Sequence, residues 1–301
     1  MLEKNNTAGV AYGLGAFIIW GLLPIYFKEL SHVKAMEFLG YRMIWSFVFL
    51  IFLLFFRRSL PQFIQEIRQV FTNRKLLLML LFSAILLSSN WLVYIWAVAN
   101  DNVLQAALGY FINPLMNVAL GMLVLGERLG RIKLLSVCLA TIGVFYMIIE
   151  GGEFPWIALY LATSFALYGL TRKKILIGAI VGLWIEMLIL LPVAVLYLIY
   201  LNVFASAEVI DHDSYTLFML VFSGVVTTVP LVLFTSAARR LPLSTIGLLQ
   251  YIAPSISLLL AVFLWKEAFT TTHMVAFGFI WGALVIYSLS SFLSFGQKII
   301  K

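Results

Sequence analysis

Charge is what this chain has least of. Only 11% of its 301 residues are Asp, Glu, Lys or Arg, 63% are hydrophobic, and the mean hydropathy is +1.05. A soluble domain carries roughly 25% charged residues, so this chain cannot cover a water-facing surface, which excludes a soluble enzyme and a disordered chain. Cysteine is nearly absent. The single Cys138 cannot close an intrachain disulfide, which excludes a disulfide-stapled scaffold, and its apolar surroundings predict a buried, inert thiol. The three histidines, His32, His212 and His273, lie far apart with no H-E-x-x-H motif, so no metal centre is expected. The chain has no G-x-x-x-x-G-K-[ST] and no nucleophile-elbow motif, so neither an ATP motor, a catalytic residue nor a cofactor is assigned. No cleavable signal peptide is expected, because the first apolar run is too long for one.

What fills the chain instead is apolar runs. A membrane-crossing helix needs about 20 mostly apolar residues, and charges bound ten such runs: Ala8–Phe27, Ala35–Phe56, Leu76–Val98, Val103–Leu125, Leu134–Ile149, Phe154–Leu170, Ile175–Val203, Leu217–Ala238, Leu243–Trp265 and Met274–Phe295. The fold class is therefore an all-α polytopic membrane protein of ten transmembrane helices. The excess of 20 Lys and Arg over 13 Asp and Glu reads as topology rather than as a nucleic-acid footprint. With the N-terminus inside, alternate loops hold sixteen of the twenty basic residues, and the opposite loops hold only Lys28, Lys34 and Lys266. Basic residues stay cytoplasmic, so both termini are expected there. The outer loop Phe204–Thr216 instead carries Glu208, Asp211 and Asp213. Within the inner loop 57–75, Leu60, Phe63, Ile64, Ile67, Val70 and Phe71 recur at helical spacing, which predicts an amphipathic interfacial helix.

The chain also repeats itself. Leu108–Arg128 (LGYFINPLMNVALGMLVLGER) aligns with Leu248–Ala268 (LLQYIAPSISLLLAVFLWKEA) at a shift of 140, matching Pro114 with Pro254 and Glu127 with Glu267. Shifts of 148 and 149 place Trp20-Gly21 on Tyr168-Gly169 and Glu37 on Glu186. Two halves of five spans each, 1–150 and 151–301, follow, and an odd span count inverts the second half. Inverted repeats place a solute site between the halves near the midplane.

The stretches MEFLGYRMIWSF (Met36–Phe47), NWLVYIWAV (Asn90–Val98), LGYFINPLMN (Leu108–Asn117), LGERL (Leu125–Leu129), LYGLTRKK (Leu167–Lys174), GVVTTVPL (Gly224–Leu231) and LSTIGLLQYIAP (Leu243–Pro254) resemble the RarD group of the EamA family, in the drug/metabolite transporter superfamily. The resemblance covers essentially the whole chain. It implies a ten-helix transporter of the bacterial cytoplasmic membrane, with two inverted repeats and a central cavity, for drugs, amino acids or other metabolites. Members of that family often carry a His before the residue matching Arg42; this chain has Tyr41, so a His-based proton role is not carried over.

Only Glu37, Arg42 and Glu186 are charged within the expected spans. A charge centred in a span costs about 2.5–3.5 kcal/mol on insertion scales, so it faces a cavity or a partner. Glu186 lies about 18 Å in from the RKK run at roughly 1.5 Å per residue, and Arg42 about 10 Å from the outer face. These depths predict that the two approach each other, with Glu186 as the coupling carboxylate. The structural alternatives are a hydrogen-bonded carboxyl for Glu186 and a snorkelling side chain for Arg42; Glu37 is expected at the interface. Further cavity candidates are Asn90, Trp91, Tyr94, Tyr110, Asn113, Asn117, Thr228, Gln250 and Tyr251, with interhelical bonding the alternative for each Asn. Pro114, Pro230 and Pro254 are expected to break their helices. Gly9–Gly13, Gly178–Gly182 and Gly278–Gly282 have close-packing spacing. The expected function is a secondary exporter of small organic solutes, with membrane lipids and the solute as partners and protons as the candidate coupling ion. A membrane-embedded enzyme or a sensor is the alternative.

Overall fold

Polar caps and charges cut the chain into helices, and the computed structural model describes residues 2–56, 60–100, 102–152, 154–204, 213–266 and 270–299. In chain order these are α1 (Leu2–Glu29), α2 (Ala35–Phe56), α3 (Leu60–Thr72), α4 (Arg74–Ala99), α5 (Val103–Leu125), α6 (Arg131–Gly151), α7 (Trp156–Lys174), α8 (Ala179–Phe204), α9 (Ser214–Ala238), α10 (Leu243–Gln250), α11 (Ile252–Leu259) with a π-helical turn at Leu260–Leu264, and α12 (Thr271–Ile299). Asn73 starts α4 by accepting the Leu76 N–H at 3.2 Å, and Asp213 starts α9 by accepting that of Thr216 at 3.0 Å. Left-handed Gly126 (φ 67°) and Gly152 (φ 70°) close α5 and α6. Arg57, Arg58, Glu208, Asp211, His212 and Glu267 lie outside the described residues.

The spans Ala35–Phe56 and Val103–Leu125 form as the sequence predicts. Among the described residues nine helical stretches are long and apolar enough to cross a membrane. The tenth helix of the bundle, α7, is more polar because protein covers it. Eleven of its residues are buried, from Ile157 to Arg172, against α5, α4 and α9. The outer surface of the bundle is apolar, with Phe55, Leu123 and Leu176 among its most exposed side chains. Cys138 lies on this surface, which corrects the expectation of a buried thiol: an apolar span can be covered by lipid as well as by protein. Glu37, expected at the interface, is buried, with Tyr41 and Tyr197 in its electrostatic neighbourhood.

Three further expectations are revised. The seventh span begins at Ala179 rather than Ile175, because Ile175–Gly178 leave the helix and bury Ile175 and Ile177 in the apolar cluster of Leu54, Val70, Leu80 and Val181. Pro114 and Pro230 sit inside unbroken helices: each removes one backbone bond, which a helix packed among neighbours tolerates. Only Pro254 accompanies a break, at Tyr251, followed after the roughly two turns of α11 by the π-helical residues. Of the glycine pairs, Gly9 and Gly13 pack on Leu241 and Leu249, whereas Gly278 and Gly282 meet nothing within 4 Å.

The amphipathic helix forms as α3. Phe63, Ile67 and Val70 turn inward onto α8, where Phe63 meets the Trp184 ring edge-on at 5.7 Å, while Ile64 and Phe71 remain exposed. The main helix pairings join early elements to late ones: α5 on α7, α6 on α12, α2 on α8 and α9, α1 on α9 and α11, and α5 on α10. Gly224 lets α9 lie against α2, since a β-carbon there would overlap the Trp45 carbonyl. Arg74, Lys75, Arg128, Arg131, Arg172, Lys173, Arg239 and Arg240 gather at one end of the helices, the basic end.

Candidate functional site

Two separate polar centres lie in the bundle. The first surrounds Arg42, seven residues into α2 from the end opposite the basic end. Its Nε donates to Thr227 Oγ1 on α9 at 3.0 Å. Its guanidinium lies over the rings of Trp91 (4.8 Å), Phe38 (5.5 Å) and Phe27 (5.7 Å), a cation–π setting that holds the charge without neutralising it. Tyr26, Tyr94 and Tyr110 are its electrostatic neighbours, and no carboxylate is among them. Tyr94 meets Tyr110 edge-on at 5.9 Å, and the Tyr26 hydroxyl donates to the Met219 carbonyl at 2.5 Å. Tyr110 is 50% exposed, so its side chain is not closed into a packed core.

The second centre surrounds Glu186, and its cation is Arg172. Both side chains are 0% exposed, and Arg172 Nη1 donates to Glu186 Oε1 at 3.2 Å. Ser83 of α4 also donates to Oε1, and Tyr168 donates to Oε2 at 3.3 Å. Arg172 Nη2 donates to the Ala179 carbonyl at 3.2 Å, and Gly182 makes room, because a β-carbon there would overlap the guanidinium. The expected approach of Glu186 to Arg42 is therefore not made. Because α8 starts at Ala179, Glu186 is about 10 Å from the basic end, not 18 Å, and Arg42 is about as far from the opposite end.

Beyond this pair the basic end is tied by two further contacts. Lys173 Nζ donates to the carbonyls of Ala238, at 3.1 Å, and Leu241, at the end of α9. Glu127, just past α5, accepts the backbone N–H groups of Leu243 (2.6 Å) and Ser244 (2.9 Å) and the Ser244 hydroxyl (2.7 Å). A carboxylate at a helix N-terminus is favoured by the dipole and by the unpaired N–H groups. Arg239, just past α9, is held below the usual arginine range, by burial first and then by the nearby charges of Arg172 and Arg240.

The other candidates divide by their bonds. Asn90 Nδ2 donates to the Leu161 carbonyl and to Ser164, both at 2.9 Å. Asn113 Nδ2 donates to the Ala162 carbonyl at 2.7 Å, and Asn117 Nδ2 to Asn113 Oδ1 (3.0 Å) and Gln250 Oε1 (2.8 Å). Fully buried Tyr251 donates to the Phe111 carbonyl at 3.3 Å. These bonds join α4 and α5 to α7, and α5 to the α10–α11 segment, as interhelical ties. Thr228 is buried with no hydrogen-bond partner among the described residues. Arg42, Trp91, Tyr94 and Tyr110 remain together as one cluster. Thr227, Ser83, Tyr168 and Arg172 were missed as site residues. Arg172 was hidden in the RKK run; the signal that points to it is Gly182, one helical turn before Glu186. Among the described residues no three His, Cys, Asp or Glu side chains gather to hold a metal ion.

Comparison with known proteins places the fold. The profile of the EamA-like transporter family matches residues 7–149. An uncharacterized transporter of Vibrio cholerae is 46% identical over 95% of this chain and 94% of its own length. Protein RarD of Escherichia coli is 45% identical over 97% of each chain, and the uncharacterized transporter YojE of Bacillus subtilis is 42% identical over 96% of each. A solved crystal structure superposes with a TM-score of 0.68 at 17% identity, over 94% of this chain and 97% of that one, which shows the same fold. With these relatives and its apolar helices, the chain is a multi-pass inner-membrane transporter protein, and it belongs to the RarD group of the EamA-like transporter family.

Proposed function

We propose that the chain exports small organic solutes as a secondary transporter, by alternating access, with the chamber of Arg42, Trp91, Tyr94, Tyr110 and Thr227 as the solute site and Glu186 as the proton-coupling group. The observation that carries this reading is the half-exposed Tyr110 beside a guanidinium that has no carboxylate partner among the described residues. A charge kept inside a membrane protein at that cost is retained for a substrate path. The chamber draws its side chains from α2, α4, α5 and α9, so relative motion of these helices opens or closes it.

The halves 1–150 and 151–301 form an inverted repeat in this reading. Support comes from α5 and α10, which begin 140 residues apart at Val103 and Leu243 and pack against each other. The other pairings obey the same exchange: α1 on α9 answers α7 on α4, and α2 on α9 answers α8 on α4. The basic end faces the cytoplasm, as basic loops do, and carries both termini. The ties at that end, Glu186 to Arg172 and Glu127 to α10, then hold the cytoplasmic side closed. Protonation of Glu186 releases its hold on Arg172, which couples proton entry to opening of that side.

Reconstituted in liposomes with an imposed pH gradient, the protein is expected to move a solute from a mixed metabolite library, faster with the gradient than without it. Variants Trp91→Ala and Tyr94→Ala should lose that flux while remaining inserted. Flux independent of these residues overturns the chamber as the solute site, and no gradient-dependent flux of any solute overturns proton-coupled transport.

A further inference from the structure

We infer that the solute is an organic monoanion, a carboxylate carried on an apolar or aromatic body, and not an amino acid; this rests on the chamber being the solute site. A guanidinium has five N–H donors in a fixed fork, and Arg42 spends one of them, from Nε, on Thr227. Among the described residues its two Nη groups have no hydrogen-bond acceptor, and its neighbours are rings and hydroxyls. The fork matches a carboxylate in a paired, charge-assisted geometry, so a carboxylate is the ligand group that would engage both Nη groups and balance the charge.

The surroundings define the rest of the molecule. Trp91, Phe27, Phe38, Tyr94 and Tyr110 are aromatic, and the two tyrosines add hydroxyl donors beside the guanidinium. An apolar body suits these walls better than a strongly hydrated inorganic anion does. One cation matches one negative charge. A zwitterionic amino acid would place an ammonium beside Arg42, where it is repelled and where no chamber side chain is a carboxylate to receive it. The chamber therefore discriminates against the ammonium by charge rather than by size.

The test is calorimetric titration of the purified full-length protein with phenylacetate, its uncharged amide phenylacetamide, and phenylalanine. Phenylacetate is expected to bind about tenfold or more tightly than either of the others, the size of one charge-assisted pair. Arg42→Gln should erase the preference, and Arg42→Lys should keep it with weaker binding, because an ammonium cannot fork. The ranking on the unsubstituted protein stands even if a variant fails to fold. Equal binding of acid and amide, tighter binding of phenylalanine, or no saturable binding of phenylacetate at millimolar concentration overturns the monoanion class and leaves the chamber to its own flux test with Trp91→Ala. A preference for phenylacetate that survives in folded Arg42→Gln overturns both the role of Arg42 and the chamber as the site.

Discussion

Arg172 Nη1 stands 3.2 Å from Glu186 Oε1, and neither side chain is exposed. The two helices that carry them, α7 and α8, are joined by only four non-helical residues, Ile175–Gly178, yet pack mainly on other helices, α7 on α5 and α4 and α8 on α2 and α4, so the ion pair is a direct side-chain tie between them.

Breaking that pair from one side should be severe. Arg172→Met leaves a buried carboxylate without its cation and is expected to cost about 3–5 kcal/mol, whereas joining it to Glu186→Leu should restore most of the loss, since apolar pairs replace buried ion pairs well. Thermal unfolding of the purified variants measures this. A single variant as stable as the parent would mean the pair contributes nothing.

The coupling role of Glu186 is separable from its structural one. Glu186→Gln keeps two polar atoms for Ser83 and Tyr168 but leaves Arg172 without its counter-charge, so it should insert with lowered stability, and the transport of its folded fraction should no longer vary with pH. Leu190→Ala, one turn further along α8, should keep the parental pH profile. Flux measured across a pH series decides, and an unchanged profile in Glu186→Gln removes the coupling assignment.

Glu127→Ala removes three accepted hydrogen bonds at the start of α10 and should cost about 1–2 kcal/mol, the range of a lost helix cap. Ser244→Ala loses one of the three and should cost less. The two effects should fall short of adding, because they share a bond, and a double-mutant cycle of unfolding measures the shortfall.

Gly224→Ala places a methyl group against the Trp45 carbonyl and should destabilise by about 1–3 kcal/mol, as overpacking does. Gly278→Ala meets open space and should be neutral or gain about 0.5–1 kcal/mol of helix preference. Equal melting temperatures for the two variants would contradict the close crossing of α2 and α9.

How much of this was legible in the sequence depended on what bounded each run. Polar residues stop Ala35–Phe56 and Val103–Leu125 on both sides, and both helices form as read. The start of α8 was illegible because its linker, Ile175–Gly178, is itself apolar and buries Ile175 and Ile177. The same four residues shortened the real depth of Glu186 and so misdirected its pairing toward Arg42. Arg172 was unreadable for the opposite reason: a cation next to Lys173 and Lys174 looks solvated, and only the packing of α8 at Gly182 buries it. Arg42, Trp91, Tyr94 and Tyr110 were legible individually, as polar and aromatic groups in apolar runs. That they neighbour one another, while Asn113, Asn117 and Gln250 bond one another, follows from helix rotation that no spacing encodes.

The burial of α7 bears on how the chain is built. A helix with Ser164, Tyr168 and Arg172 turned inward has little to offer lipid on its own, and charged residues weigh against its entry from the insertion machinery. Its protein surroundings come chiefly from α4 and α5, made before it, and from α9, made after it. Newly synthesised α7 must therefore be received by the earlier helices while the later ones are still on the ribosome. The first half of the chain thus acts as the solvent into which the second half begins to partition.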